Sequence, residues 1–440
     1  MSNNGTPALK RSRLAWYFYD FGNSAYASII LLAVFSAYFK NVVVGGAEGT
    51  RLWGISVGIA AVLVAVVSPL LGAIADLTKY KRKFLILFTV VSVVFTALLF
   101  FVREGDVFLG MLFFILAEIG YRAAQVFYDA LLSDISTAET VGSISGKGWA
   151  MGMAGGILSL LLVLLPLQLI GNSVIPYAFL ITAAFYLLSA IPSFLWVEEI
   201  QEAKQIPAGE SALSLAVKKL AETFRSIKSY KEFVKYMIAY LLYNDGIMML
   251  MDFAAIIGAT LYGLSQIQLI LVVIILQLAG AFGALFFGRI ADKKSGKEAT
   301  LLALVILTVT VSTLFFWPSL AGFYVIAFFA GFSLSGAQAV SRSMVVQIAP
   351  PHHTAEFYGF LSVAGRTSTF IGPLVFGTLT FRTNAWYVKQ GMDIHLAEQY
   401  SLLWGIGSIV AFLVVGSILL LFVKRVRASA HTEPAEQPAE

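Results

Sequence analysis

The sequence predicts an all-α membrane protein of twelve transmembrane helices arranged as two pseudo-symmetric six-helix halves. Three observations predict it. The 440 residues are 59% hydrophobic and only 12% charged, which is not the composition of a water-soluble domain. Twelve apolar stretches can be marked, at residues 16–39, 52–75, 84–102, 107–131, 148–170, 174–197, 234–262, 266–290, 299–317, 320–348, 357–381 and 400–423. A span needs about 20 apolar residues to cross the hydrocarbon. One cassette also occurs twice, half a chain apart: Gly72-Ala-Ile-Ala-Asp76 followed by Lys79, Lys81, Arg82 and Lys83, and Gly288-Arg-Ile-Ala-Asp292 followed by Lys293, Lys294 and Lys297. Strand-like alternation is absent, and in lipid a helix is the structure that satisfies its own backbone.

Taken in order, the first stretch carries Tyr17, Asp20 and Ser24 on one helical face, with Asn23 beside them. The second closes on Gly72 and Asp76 and opens a basic loop that includes Arg82. The fourth holds Glu118, Arg122, Gln125 and Asp129 at i, i+4, i+7 and i+11, one narrow face. For Asp129, near the loop 79–83, bracing that loop is the plainer role. The glycines Gly146, Gly148, Gly152, Gly155 and Gly156 of the fifth read as close helix packing. No strand precedes them, so a phosphate loop fails its context test.

Residues 198–233 alternate charges with apolar residues at near-helical spacing, which predicts an amphipathic surface helix or a partly disordered linker between a half at 1–197 and a half at 234–423. The seventh stretch aligns Tyr236, Tyr240, Tyr243 and Asn244, and spaces Asp245 and Asp252 seven apart. The eighth ends in Gly288 and Asp292, the tenth carries Arg342, and the eleventh carries Arg366 and Gly372-Pro373, a hinge or a static kink. The tail 424–440 is too polar to pack and is expected to be disordered.

Of the 30 Lys and Arg, 22 fall on the side that holds the termini, 5 on the other and 3 within spans. That asymmetry predicts cytoplasmic termini in a plasma (inner) membrane. Lys40, Arg51, Arg103, Arg382 and Lys389 are the 5 expected outside, and Trp386 is expected in an outer loop. There is no cysteine, which excludes disulfides and thiolate metal sites, and four histidines without an acidic ligand set do not make a metal centre.

The cassette Gly72…Asp76…Arg82-Lys83 and the run Arg122-Ala-Ala-Gln125 resemble the signature loop and fourth-helix motif of the major facilitator superfamily. Two positions depart from it: Leu77 stands where a basic residue is usual and Val126 where a glycine is. Trp16-Tyr-Phe-Tyr-Asp20-Phe-Gly22-Asn23-Ser24-Ala25, Ser145-Gly-Lys-Gly148-Trp149, and Glu356-Phe-Tyr-Gly359 with Gly372-Pro373 resemble that superfamily's vacuole-effluxer-like branch. The resemblance implies the major facilitator fold, a transporter, and a hint of amino acids as cargo.

Burying an ionisable group at membrane depth costs a few kcal/mol, so such residues need a partner, a cavity or a function. Eight lie well inside spans, Asp20, Glu118, Arg122, Asp129, Asp245, Asp252, Arg342 and Arg366, and seven of them fall in stretches 1, 4, 7 and 10. In the fold that the chain resembles, those four helices line the central cavity. The expected substrate or coupling residues are Asp20, Asn23, Glu118, Arg122, Gln125, Tyr243, Asn244, Asp245, Arg342 and Arg366. The expected gating or structural residues are Gly72, Asp76, Arg82, Asp129, Gly288, Asp292, Gly372 and Pro373. The alternative for the helix 4 charges is a static ion pair that lets the helix cross lipid.

The expected function is secondary active transport of a small solute, an amino acid or similar polar metabolite, by alternating access with proton coupling. The expected partners are the solute, protons and the bilayer, with no cofactor, metal or nucleic acid, and the expected state is a monomer. A membrane sensor or a lipid-modifying enzyme on the same scaffold is the alternative. The enzyme reading needs an intramembrane nucleophile–base pair, which the sequence does not display.

Overall fold

The computed structural model describes residues 7–78, 80–136, 141–199, 214, 230–316, 319–348 and 370–424. The long helices are α1 (Pro7–Val44), α2 (Gly46–Thr78), α3 (Lys81–Leu98), α4 (Val107–Ile135), α5 (Val141–Ile170) and α6 (Ile175–Trp196). The second set is α7 (Lys231–Tyr262), α8 (Gln266–Lys293), α9 (Gly296–Ser312), α10 (Leu320–Ile348), α11 (Ile371–Lys389) and α12 (Ile394–Leu421). Among the described residues there is no strand, and eleven of these helices are long and apolar enough to cross a membrane.

A shift of six helices maps the packing of one half onto the other. α3 lies on α4 and α6, as α9 lies on α10 and α12; α2 packs on α4, as α8 packs on α10; α1 packs on α6, as α7 packs on α12. Two contacts between the halves, α2 with α11 and α5 with α8, exchange under the same shift. Both cassettes sit at equivalent places, the last turns of α2 and of α8.

Helix alternation gives the bundle a terminal face, at the start of α1 and the end of α12, and a far face. At the far face the α3–α4 turn meets the end of α1, where Gly105 donates to the Val43 carbonyl and Tyr38 to that of Val102. Local signals set several helix ends there and elsewhere. Ser265 and Gln268 form a capping box on α8, the Asp393 carboxylate accepts from His395 and Leu396 at the start of α12, and Gly263 ends α7 at φ 63°, a left-handed turn that suits a residue without a side chain.

At the terminal face the symmetry extends to single residues. Arg82, in the first turn of α3, donates to the Val197 carbonyl just past α6 (3.1 Å). Lys297, in the first turn of α9, donates to the Leu421 and Val423 carbonyls at the end of α12 (2.6 Å each). Each cassette's basic loop therefore caps the last helix of its own half, where carbonyls lack intrahelical partners and the helix end is negative. Glu199 returns the favour by accepting from the backbone of Lys81 and Arg82 (3.1 and 2.9 Å) at the positive end of α3.

Three boundaries differ from the sequence reading. α1 begins at Pro7 and continues past Ala25 through two π-helical stretches, Tyr26–Ala33 and Phe39–Val44. Lys40, expected in an outer loop, is therefore inside the fold, only 5% exposed and ion-paired with Glu398 of α12. α11 runs on to Lys389, so Trp386 sits on a helix and not in a loop. Its ring lies against Tyr387, which in turn meets Tyr400 of α12, and packing of this kind lets a helix outlast its apolar stretch. The expectations for the linker helix (residues 200–213 and 215–229), the tail after 424 and Arg366 lie outside the described residues. The side chains of Asp76, Asp292 and Arg342 are likewise outside them.

Candidate functional site

The site begins on α4. Glu118 is fully buried, and one turn later Arg122 holds it as an ion pair. Their side of α4 meets α1, whose Tyr26 lies against it. From α1, Tyr26 opens the first π-helical stretch and stacks its ring on Tyr121 (4.5 Å between centroids). Its hydroxyl lies beside Glu118.

From the other half, Asp252 of α7 completes the group. It is 3% exposed, faces Arg122 and Glu118, and leaves Oδ2 without a hydrogen-bond partner. A paired carboxylate and a second, buried one thus lie within electrostatic reach of one guanidinium in an apolar setting. Burial of an uncompensated charge is costly, so the arrangement favours the arrival of a proton or of a ligand group that balances it.

Above this group the halves are clasped. Trp53 of α2, fully buried, donates its indole N–H to the Asp252 carbonyl (2.8 Å). Gln277 of α8 donates to Ser28 Oγ (3.2 Å), and Gln266 donates to the Ala33 carbonyl. Arg51 stacks on Phe381 of α11 (4.6 Å), and Lys40 pairs with Glu398. Gly54 lets α2 approach α11 so closely that a Cβ there would stand 2.4 Å from the Pro373 carbonyl oxygen. These contacts between the halves lie level with Glu118–Asp252 or nearer the far face.

The other expected residues divide into several groups. Asp20 is partly exposed and lies against α5, where a Cβ on Gly152 would come within 3.0 Å of its Oδ2. Asn23 is 2% exposed, with its amide nitrogen unpartnered, and Gln125 is half-buried on the Glu118 face. Tyr243 and Asn244 serve packing within the second half: the phenol bonds Ser341 Oγ (2.7 Å) and the amide oxygen accepts from Gln338 (2.8 Å). Asp245 accepts from the Gly372 N–H (2.9 Å), so it caps α11 just before Pro373. Asp129 is exposed, and five residues on along α4 the buried carboxylate of Asp134 takes Lys81 of the basic loop (3.1 Å). Gly288 has nothing within 4 Å of a Cβ and so makes no close packing.

Tyr26, Asp252, Lys40, Glu398 and Glu199 were not among the expected site residues. Asp252 had a signal, being a carboxylate deep in the seventh stretch. Lys40 and Glu398 had none, because both lie at the ends of their stretches and meet only when the halves pack.

A family profile described as "Vacuole effluxer Atg22 like" matches residues 50–141 and 133–389. The chain belongs to this family. An uncharacterised MFS-type transporter, YxiO, of Bacillus subtilis is 28% identical over 373 residues, covering 82% of this chain and 86% of the relative. Autophagy-related protein 22 of Yarrowia lipolytica is 22% identical over 277 residues, covering 56% of this chain and 47% of that protein. A bacterial homologue of the human lysosomal transporter Spinster, in an inward-facing and unoccupied conformation, superposes with a TM-score of 0.73 at 14% identity, covering 96% of this chain and 98% of the other. The nucleoside transporter NupG gives 0.68 at 14%, covering 94% and 99%. At such identity these structures share the fold alone. The Atg22-like chain is therefore a multi-pass membrane transporter of major facilitator type, with a transport role and not an enzymatic one.

Proposed function

We propose that this Atg22-like protein is a proton-coupled secondary transporter that exports a small zwitterionic solute, an amino acid or close relative, by alternating access between its two halves. The observation that carries the reading is the buried Glu118–Arg122–Asp252 group between the halves, with all the described clasping contacts on one side of it. A solute held at that level faces a closed far side, and breaking the clasp exposes it there instead. A guanidinium and a carboxylate one turn apart match the two charged ends of a zwitterion. Arg122 takes the carboxylate and Glu118 the ammonium, each exchanging its protein partner for the solute. The charge asymmetry of the chain supports cytoplasmic termini, which makes the far face external, and the family's description as an effluxer supports the outward direction.

The test is counterflow in proteoliposomes with a panel of labelled amino acids, nucleosides and sugars. Exchange of at least one amino acid, lost in Arg122→Ala, is the expected result. Binding without exchange for every member of the panel would favour a sensor.

A further inference from the structure

Two carboxylates lie within electrostatic reach of one guanidinium between the halves, and Glu118 is the one that binds it. Glu118 holds Arg122 from the same helix, one turn away. Asp252 comes from the opposite half, is 3% exposed and keeps Oδ2 unpartnered. The described groups that face it are few. α4 brings Glu118 and Arg122, α1 brings the phenol of Tyr26 beside Glu118, and α2 brings the neutral indole of Trp53. On its own helix the nearest acid is Asp245, two turns earlier, already engaged by the Gly372 N–H. With both acids ionised the group carries one net negative charge, and nothing among these neighbours balances it.

Asp252 also touches the clasp. The carbonyl of the same residue accepts the Trp53 indole, so a displacement of the Asp252 side chain toward a partner is transmitted to the contact that joins α2 to α7. Among the described residues no other buried acid combines an unpartnered oxygen, an arginine of the opposite half within electrostatic reach and a direct bond to the far-face clasp.

We propose that Asp252 is the proton-accepting carboxylate of the transport cycle, an assignment that rests on the proton-coupled reading above. Neutral, it lets the halves stay closed at the far face with the Glu118–Arg122 pair intact. Ionised, it competes for Arg122, pulls on α7 and loosens the Trp53 contact, so the far face opens. Loss of the proton at the carboxyl oxygen balances the step, with the proton going to water on the side then exposed.

The chain has no cysteine, so two introduced ones carry the only spin labels. Glu104→Cys and Gln390→Cys place them at exposed positions on far-face connections of the two halves. Distances are then measured by pulsed electron resonance in lipid nanodiscs across the neutral pH range, with no substrate present. In the otherwise unchanged protein the short-distance population should prevail in acid and fall as pH rises. Asp252→Asn should hold the short distance at every pH. Asp252→Glu, which keeps the acid, should retain a pH response with a moved midpoint. Glu118→Gln should keep the response but move its midpoint to lower pH, because a freed Arg122 favours the ionised Asp252. An unchanged midpoint in both Asp252 variants overturns the assignment alone. A distance that ignores pH in the parent protein overturns the assignment together with the proton-coupled reading.

Discussion

Lys40 and Glu398 form a buried ion pair that joins the end of α1 to the start of α12, across the two halves and on the far side of the Glu118–Arg122–Asp252 group. Removing one partner of a buried pair leaves the other uncompensated, which costs about 3–5 kcal/mol, whereas replacing both by apolar residues can be neutral. Under the proposed alternating access the pair exists only while the far face is closed, and the cost then falls on the closed state. Lys40→Met and Glu398→Leu should each shift the spin-label distance at the far face toward the longer population, and the double variant should recover much of the short one. Additive effects in the double-mutant cycle would mean that the two residues act separately.

The glycine packing of α5 gives a second expectation. A Cβ on Gly155 would stand 1.9 Å from the Phe21 carbonyl oxygen, a backbone atom that cannot move aside. Gly155→Ala should therefore separate α1 from α5 and destabilise by about 1–3 kcal/mol, the usual range for overpacking. Gly407 of α12 has nothing within 4 Å of a Cβ, so Gly407→Ala should be neutral or gain up to about 1 kcal/mol from helix propensity. Thermal unfolding in detergent of the two variants side by side checks the contrast.

The capping residues of the two halves predict matched effects. Arg82 and Lys297 reach the carbonyls that end α6 and α12, and Glu199 meets the free N–H groups that begin α3. Loss of a helix cap costs about 1 kcal/mol. Arg82→Ala and Lys297→Ala should each lower the melting temperature modestly and by similar amounts. Glu199→Ala should do the same as Arg82→Ala, and the pair should be less than additive because both groups tie α3 to the α6 exit. A large loss from Lys297→Ala with none from Arg82→Ala would break the symmetry argument.

What the sequence disclosed follows the physics that acts along one helix. Hydropathy marks the twelve helices because the bilayer selects for it residue by residue, and the cassettes sit where the repeat put them. The Glu118–Arg122 pair was legible because i, i+4 spacing makes neighbours on any helix. Relations between helices were less visible. Nothing in the spacing of Asp245 and Asp252 says that the first caps α11 and the second faces Arg122, although both are acids on one stretch. Tyr243 read as a cavity residue from its place in an aromatic row, while packing turned it onto Ser341. The π-helical part of α1 was hidden for a related reason: its i→i+5 bonding is imposed by the helices around it, and Tyr26–Ala33 is as apolar as any ordinary span.

The cap on α11 provides the last expectation, and it separates two roles for Asp245. As a cap, its oxygen accepts the Gly372 N–H at 2.9 Å, ahead of Pro373, whose ring nitrogen offers no hydrogen. An amide oxygen accepts as well as a carboxylate oxygen in geometry, though without the charge. Asp245→Asn should therefore keep α11 in place, with a melting temperature near that of the parent and counterflow intact. Asp245→Ala strands a buried N–H, which costs about 1–3 kcal/mol, and should lower stability and flux together. A carrier of protons behaves otherwise: Asn would abolish gradient-driven transport while leaving the fold unharmed. Measuring melting temperature and pH-gradient-driven flux for both variants decides between the roles, and the hydrogen bond to Gly372 predicts that Asn is tolerated and Ala is not.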